Sequence, residues 1–96
     1  MIRIVKMIFR PEEVPSFLQL FEERRHLIRN FEGCTHLELW QDKAHTATFF
    51  TYSWWDSETH LDAYRNSPFF ADTWNLTKEK FAGRPEAWSV GVVHSL

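Results

Sequence analysis

Phe49-Phe50-Thr51-Tyr52-Ser53-Trp54-Trp55-Asp56-Ser57-Glu58 decides how this chain folds, because an aromatic strand runs there without a break into a helix start. Successive side chains of a strand leave opposite faces, so Trp54 and Trp55 stand on different sides of one sheet and both sides must be covered. A chain of 96 residues has enough helix for one face of a four-stranded sheet. The other face is left for a second molecule.

Working outward, residues 46–55 form a strand that pairs with 35–41 across the polar turn Asp42-Lys43-Ala44-His45, which predicts a hairpin. Residues 2–9 are rich in β-branched side chains and end before Arg10-Pro11, marking the first strand. Pro11, Glu12, Glu13 and Pro15 suit a first helical turn, where amides lack partners and the dipole is positive. Val14, Phe17, Leu18, Phe21, Ile28 and Phe31 continue at helical spacing until Gly33. After the central strand, Asp56 or Ser57 caps a helix carrying Leu61 and Tyr64. Ser67-Pro68 restarts it through Phe69, Phe70, Trp74, Leu76 and Phe81, Gly83-Arg84-Pro85 stops it, and residues 88–94 read as the last strand. The order strand, helix, strand, strand, helix, strand predicts one α+β domain over 1–96: a ferredoxin-like βαββαβ sandwich with both helices on one face of an antiparallel sheet.

If Gln41 pairs with Thr46, then Trp40 meets Ala47, Glu38 meets Phe49 and His36 meets Thr51. One face then collects His36, Glu38, Trp40, Phe49, Thr51, Ser53 and Trp55 and, being mixed polar and aromatic, is expected to line a cleft under the helices. The other collects Leu37, Leu39, Phe50, Tyr52 and Trp54 and is expected to be buried against a second copy. On the first strand, Ile2, Ile4, Lys6 and Ile8 are assigned to the cleft, and Val5, Met7 and Phe9 to the dimer face.

Composition narrows the functional classes. Five Trp, nine Phe and two Tyr supply enough ring surface for a core with rings left over for a pocket or an interface. A net charge of -2 gives no electrostatic footprint for nucleic acid. No apolar stretch approaches the roughly 20 residues of a membrane span, and the charged N-terminal run does not read as a signal peptide. Cys34 stands alone, so it makes no intramolecular disulfide, and a reducing cytoplasm is the expected compartment. His26, His36, His45, His60 and His94 show no tight ligand spacing, so no metal site is expected.

The element order, the strand end Thr51-Tyr52-Ser53-Trp54-Trp55-Asp56-Ser57-Glu58 and the later Pro68-Phe69-Phe70-Ala71 resemble the antibiotic biosynthesis monooxygenase-like domains of the dimeric α/β-barrel superfamily. The resemblance covers essentially the whole chain and implies a homodimer whose two sheets close into a barrel, with one pocket per subunit between sheet and helices. Family members that oxidise polycyclic phenols without metal or flavin have a tryptophan that matches Trp55, an asparagine four positions earlier where this chain has Thr51, and a tyrosine six positions later where it has Leu61. The related haem-degrading enzymes place an asparagine, a tryptophan and the haem-ligand histidine at positions that look like Lys6, Tyr64 and Trp74. All three differ, which disfavours haem degradation.

A cofactor-independent oxygenase must ionise a phenol or quinol so that the anion can pass an electron to O₂, and must shield the radical pair from water. His36 is the candidate base, since imidazole titrates near working pH, with Glu38 beside it and Lys6 as an oxyanion stabiliser. Trp40, Thr51, Trp55, Tyr64, Phe70 and Trp74 are the expected substrate-binding residues. No cofactor is called for, and the expected partners are a second copy and a small aromatic molecule. The alternative is a non-catalytic dimeric module that binds an apolar small molecule.

Overall fold

The computed structural model describes residues 1–96. Its elements are β1 (Ile2–Ile8), α1 (Val14–Arg29), β2 (Cys34–Gln41), β3 (Thr48–Trp55), α2 (Glu58–Arg65), α3 (Pro68–Lys78) and β4 (Glu86–Val90). The strands form one antiparallel sheet in the order β2-β3-β1-β4, as a ferredoxin-like α+β fold requires, with α2 and α3 sharing the place of the second helix. The helix starts follow the sequence signals. A 3₁₀ turn at Pro11–Glu13 leads into α1, Ser57 Oγ accepts from the His60 amide at 3.2 Å, and Ser67 Oγ accepts from the Phe70 amide at 3.1 Å. Such caps contribute about 1 kcal/mol each. Gly33 closes the α1–β2 connection at φ +87, a conformation glycine adopts without strain.

The helix-covered face of the sheet carries the core. Met7, Phe9, Phe17 and Phe49 are 3%, 1%, 3% and 2% exposed, and the Phe9 and Phe17 rings stack at 4.1 Å. A second cluster joins Cys34, Trp55 and Leu61. Truncating a buried phenylalanine in such a cluster costs about 3–5 kcal/mol.

The hairpin register differs from the expected one by three places. Gln41 lies opposite Phe49, Trp40 opposite Phe50, Glu38 opposite Tyr52 and His36 opposite Trp54. The loop is longer than the four-residue turn, running from Asp42 to Ala47. Asp42 Oδ1 accepts from the amides of Ala44 and His45 at 2.8 and 3.0 Å, and Gln41 Nε2 donates to the Thr46 carbonyl at 2.8 Å. At the other end, a bulge between Cys34 and His36 inserts one unpaired residue. A shift by an odd number exchanges faces. His36, Glu38 and Trp40 therefore stand on the open face with Phe50, Tyr52 and Trp54, while Leu37 and Leu39 turn toward the helices.

The first strand is reversed in the same way. Val5 and Met7 face the helices, and Ile2, Ile4, Lys6 and Ile8 belong to the open face, opposite Trp54, Tyr52, Phe50 and Thr48. For β3 itself the expected alternation holds. β4 starts earlier than expected, at Glu86 opposite Lys6, and stops at Val90 opposite Ile2, so residues 91–94 lie outside the strand.

Candidate functional site

Between the two core clusters the sheet and helices enclose a cavity of about 270 Å³. Its floor is built from alternate residues of the strands: Arg3, Val5 and Met7 of β1, Leu37 of β2, Thr51, Ser53 and Trp55 of β3, and Ala87 of β4. Its roof comes from Phe17, Phe21 and Ile28 of α1, from Leu61, Tyr64 and Arg65 of α2, and from Phe70, Thr73, Trp74 and Thr77 of α3. The spacing in α2 explains its contribution, since positions three and four apart share a helix face.

Rings wall this space in an unbroken series. Trp55 stacks on Tyr64 at 5.0 Å, Tyr64 meets the edge of Phe70 at 5.1 Å, and Phe70 stacks on Trp74 at 6.0 Å, while Phe81 backs Trp74 from the core at 5.6 Å. Trp55 is fixed from below by Nε1, which donates to Ser53 Oγ at 3.0 Å. A flat ligand entering between these faces would exchange water for offset and edge contacts.

Two polar groups on the cavity are electrostatically distinctive. Burial, and secondarily the nearby Cys34, pushes the Tyr64 phenol well above the ordinary tyrosine range, so it stays protonated and acts as a donor. Its hydrogen bond to a neighbour runs through the backbone carbonyl, which accepts from Ser67 Oγ, leaving the hydroxyl without a partner in the chain. Arg3 of β1 and Arg65 of α2 are the cations on the cavity lining, and Glu86 of β4, paired with Lys6 at 3.9 Å, is its one acid. Burial first, and then the Arg65 guanidinium, pull the Arg3 pKa below the usual arginine value, while Glu58 and Asp62 pull the other way.

Of the expected substrate-binding residues, Thr51, Trp55, Tyr64, Phe70 and Trp74 converge on the cavity and Trp40 does not. Trp40 lies on the open face, stacked on Tyr52 at 4.6 Å. The three candidate catalytic residues are also on that face, a correction that follows from the register. His36 Nε2 and Glu38 Oε2 are 2.5 Å apart, Trp40 Nε1 donates to Glu38 Oε1 at 2.7 Å, and the two contacts hold the Glu38 carboxyl below the usual range, the His36 bond most. Lys6 approaches Glu86 at 3.9 Å as a half-exposed ion pair, an arrangement worth little. Of the expected dimer residues, Phe50, Tyr52 and Trp54 are on the open face, with Trp54 Nε1 donating to the Tyr52 hydroxyl at 2.8 Å. Leu37 and Leu39 are not; Leu37 lines the cavity.

Arg3 and Arg65 escaped the sequence reading. A signal existed: Arg3 and Lys6 are cations of opposite parity on one strand, so they must point to opposite faces, and only one can be on the cavity side. Cys34 is buried, with its thiol raised chiefly by desolvation, as expected of a small core residue.

A ferredoxin-like sheet with an aromatic cavity beneath its helices defines the class, and comparison with known proteins defines the family. The family model for antibiotic biosynthesis monooxygenase matches residues 1–75, and the chain belongs to that family. Among solved structures, a conserved protein from Methanosarcina mazei Go1 is 25% identical with a TM-score of 0.83, covering 90% of this chain and 86% of that one. An antibiotic biosynthesis monooxygenase is 18% identical with a TM-score of 0.88, covering 98% and 100%. Rv0793 from Mycobacterium tuberculosis is 16% identical with a TM-score of 0.87, covering 98% and 95%. The latter two likenesses are of fold alone. No curated protein matches the chain.

Proposed function

We propose that the chain is an oxygenase of its family's kind, acting on a flat phenol or quinol held in the cavity between sheet and helices. The observation that carries this reading is the pairing of Trp55 with Tyr64, whose protonated hydroxyl has no partner in the chain. Family phenol oxidisers have a tyrosine where this chain has Leu61. Tyr64 lies one helical turn further on the same side of α2 and returns a phenol to the Trp55 ring.

In this reading Tyr64 donates to the substrate oxygen and stabilises its anion, the phenolic proton leaving to water at the cavity mouth. The anion gives one electron to O₂, and the radical pair, held apart from solvent by the rings, joins to form a carbon–oxygen bond. The O–O bond then breaks with loss of the ring hydrogen. One oxygen atom remains on the ring as a carbonyl and the other leaves as water. Phenol plus O₂ thus gives quinone plus water, and no external reductant enters.

The reading extends to a homodimer closed through the open sheet face. Trp40, Trp88 and Val90, each about two-fifths exposed, lie on that face beside Phe50, Tyr52 and Trp54. His36 and Glu38 then belong to the space between two sheets. No helix of the chain is long and apolar enough to cross a membrane, and a free buried thiol suits the reducing cytoplasm proposed here.

The test is oxygen uptake by the purified protein with a panel of quinols and naphthols and no added cofactor. We expect uptake equimolar with substrate, and a fall in kcat of roughly 10²-fold in Tyr64→Phe, the scale of one lost oxyanion donor. A silent panel removes the catalytic reading. One observation favours the second reading, a module that binds an apolar small molecule without reaction: His36, Glu38 and Lys6 all stand across the sheet from the cavity. Ligand binding without oxygen uptake would decide for it.

A further inference from the structure

Across the sheet, Leu37, Ser53, Arg3 and Ser89 form one row on the helix side, and Met7 lies four residues along β1 from Arg3. At the rise of a strand this separates the two by about 13 Å. The cavity therefore has a cationic end at Arg3 and a largely apolar end at Met7, Phe17 and Trp74, where the one lining acid, Glu86, is taken up by Lys6.

Three other arginines hold carboxylates, Arg10 with Glu13 at 3.3 Å, Arg24 with Asp72 at 2.9 Å and Arg25 with Glu22 at 3.0 Å, and Arg29 donates to the Cys34 carbonyl at 2.8 Å. Arg3 and Arg65 hold no carboxylate. The side-chain bond of Arg3 goes to neutral Ser89 Oγ at 3.1 Å, which leaves most of its five N–H donors free. Arg65 ends α2 and lines the same cavity. Glu58 and Asp62 are near enough to be felt by Arg3, yet neither comes within ion-pair distance. Two like charges brought together at the end of an apolar chamber repel each other, and burial adds to the penalty. An anion between them would relieve both effects.

We infer that the cavity selects an aromatic ligand bearing a carboxylate, its ring between Trp55, Tyr64, Phe70 and Trp74 and its carboxylate shared by Arg3 and Arg65. This rests on the proposed cavity and adds the substrate class. Guanidinium suits the role because its planar fork matches a carboxylate in two-point contact. Tyr64 and Arg65 both line the cavity, so the phenol donor is available to a hydroxyl carried on the same ring as the carboxylate. The volume of about 270 Å³ is at the small end of ligand sites, in keeping with one or two fused rings.

The experiment is binding, followed by quenching of tryptophan fluorescence, with 1-hydroxy-2-naphthoate and its neutral counterpart 1-naphthol as probes. Wild type should prefer the naphthoate by about 10- to 100-fold, the effect of a charged hydrogen-bonding partner. Arg3→Met and Arg65→Met should each shrink that preference, and Arg25→Met, on the outer side of α1, should keep it; circular dichroism checks that each variant is folded. Equal affinities for the two probes in wild type would overturn the inference and leave an aromatic cavity. A preference that survives both cavity substitutions would also overturn it, since the anion would then be held elsewhere. If neither probe binds, the inference and the cavity reading fall together. Oxygen uptake is not part of the readout, so loss of the catalytic reading leaves this result intact.

Discussion

Replacing Gly33 by alanine tests the junction that positions α2 over the cavity. A Cβ built there lies 2.4 Å from both Cβ and Cγ of His60, and the backbone is at φ +87. A rotamer change cannot move the His60 Cβ, so relief requires the start of α2 to shift. That start is held by the His60 amide and Nδ1, at 3.2 and 2.7 Å from Ser57 Oγ, and by the Asp56 amide, which donates to the Gly33 carbonyl at 2.8 Å. The left-handed conformation costs an L-residue about 1–2 kcal/mol, and overpacking adds about 1–3 kcal/mol. Alanine stiffens the unfolded chain, which returns about 0.4–1 kcal/mol. The net is a loss of about 2–4 kcal/mol, or roughly 10–25 °C in Tm for a domain of this size. Urea unfolding of wild type, Gly33→Ala, His60→Gly and the double variant closes the cycle. In the His60→Gly background the Gly33→Ala penalty should shrink by about 1–3 kcal/mol, leaving the backbone share. A loss below about 0.5 kcal/mol, or an identical loss in both backgrounds, would refute the reasoning.

Trp54→Asp places a charge in the middle of the open face, where dimer burial would leave it unpaired; sedimentation equilibrium should find a homodimer for wild type and a monomer for the variant. A dimer of unchanged affinity would remove that face from the interface. In Tyr52→Phe the sole remaining tyrosine is Tyr64, whose raised pKa keeps it protonated while the chain is folded. The sign follows: its contribution to stability is complete below the unfolded tyrosine value near pH ~10 and is lost above it. Phenolate absorbance should therefore appear only together with loss of near-ultraviolet dichroism, and ionisation in a still-folded protein would contradict the burial.

Ser57, Ser67-Pro68 and Pro11 announced their helices because caps are local chemistry, settled within one turn of the chain. The alternation of Phe49 through Trp55 was legible for the same reason. The faces of Lys6, His36 and Glu38 were not. They depend on how strands meet, and that was set by an Asp42 ring of amide bonds and by one unpaired residue, neither of which leaves a hydrophobic pattern. Thr51, Trp55, Tyr64, Phe70 and Trp74 reached the cavity because they lie on elements whose orientation β3 alone decides. Trp40 did not, because it lies on β2.

The bulge between Cys34 and His36 amounts to a one-residue selector. Deleting Thr35 would leave Cys34 opposite Trp55 and His36 opposite Trp54, so every face would be kept; drawing Thr35 into register opposite Trp54, with the Asp42 loop one residue shorter, would instead turn the imidazole–carboxylate pair and Trp40 inward and drive Leu37 and Leu39 outward. On this scaffold, moving a titratable pair beneath the helices is thus a matter of a one-residue change in register and loop length, with no side chain exchanged.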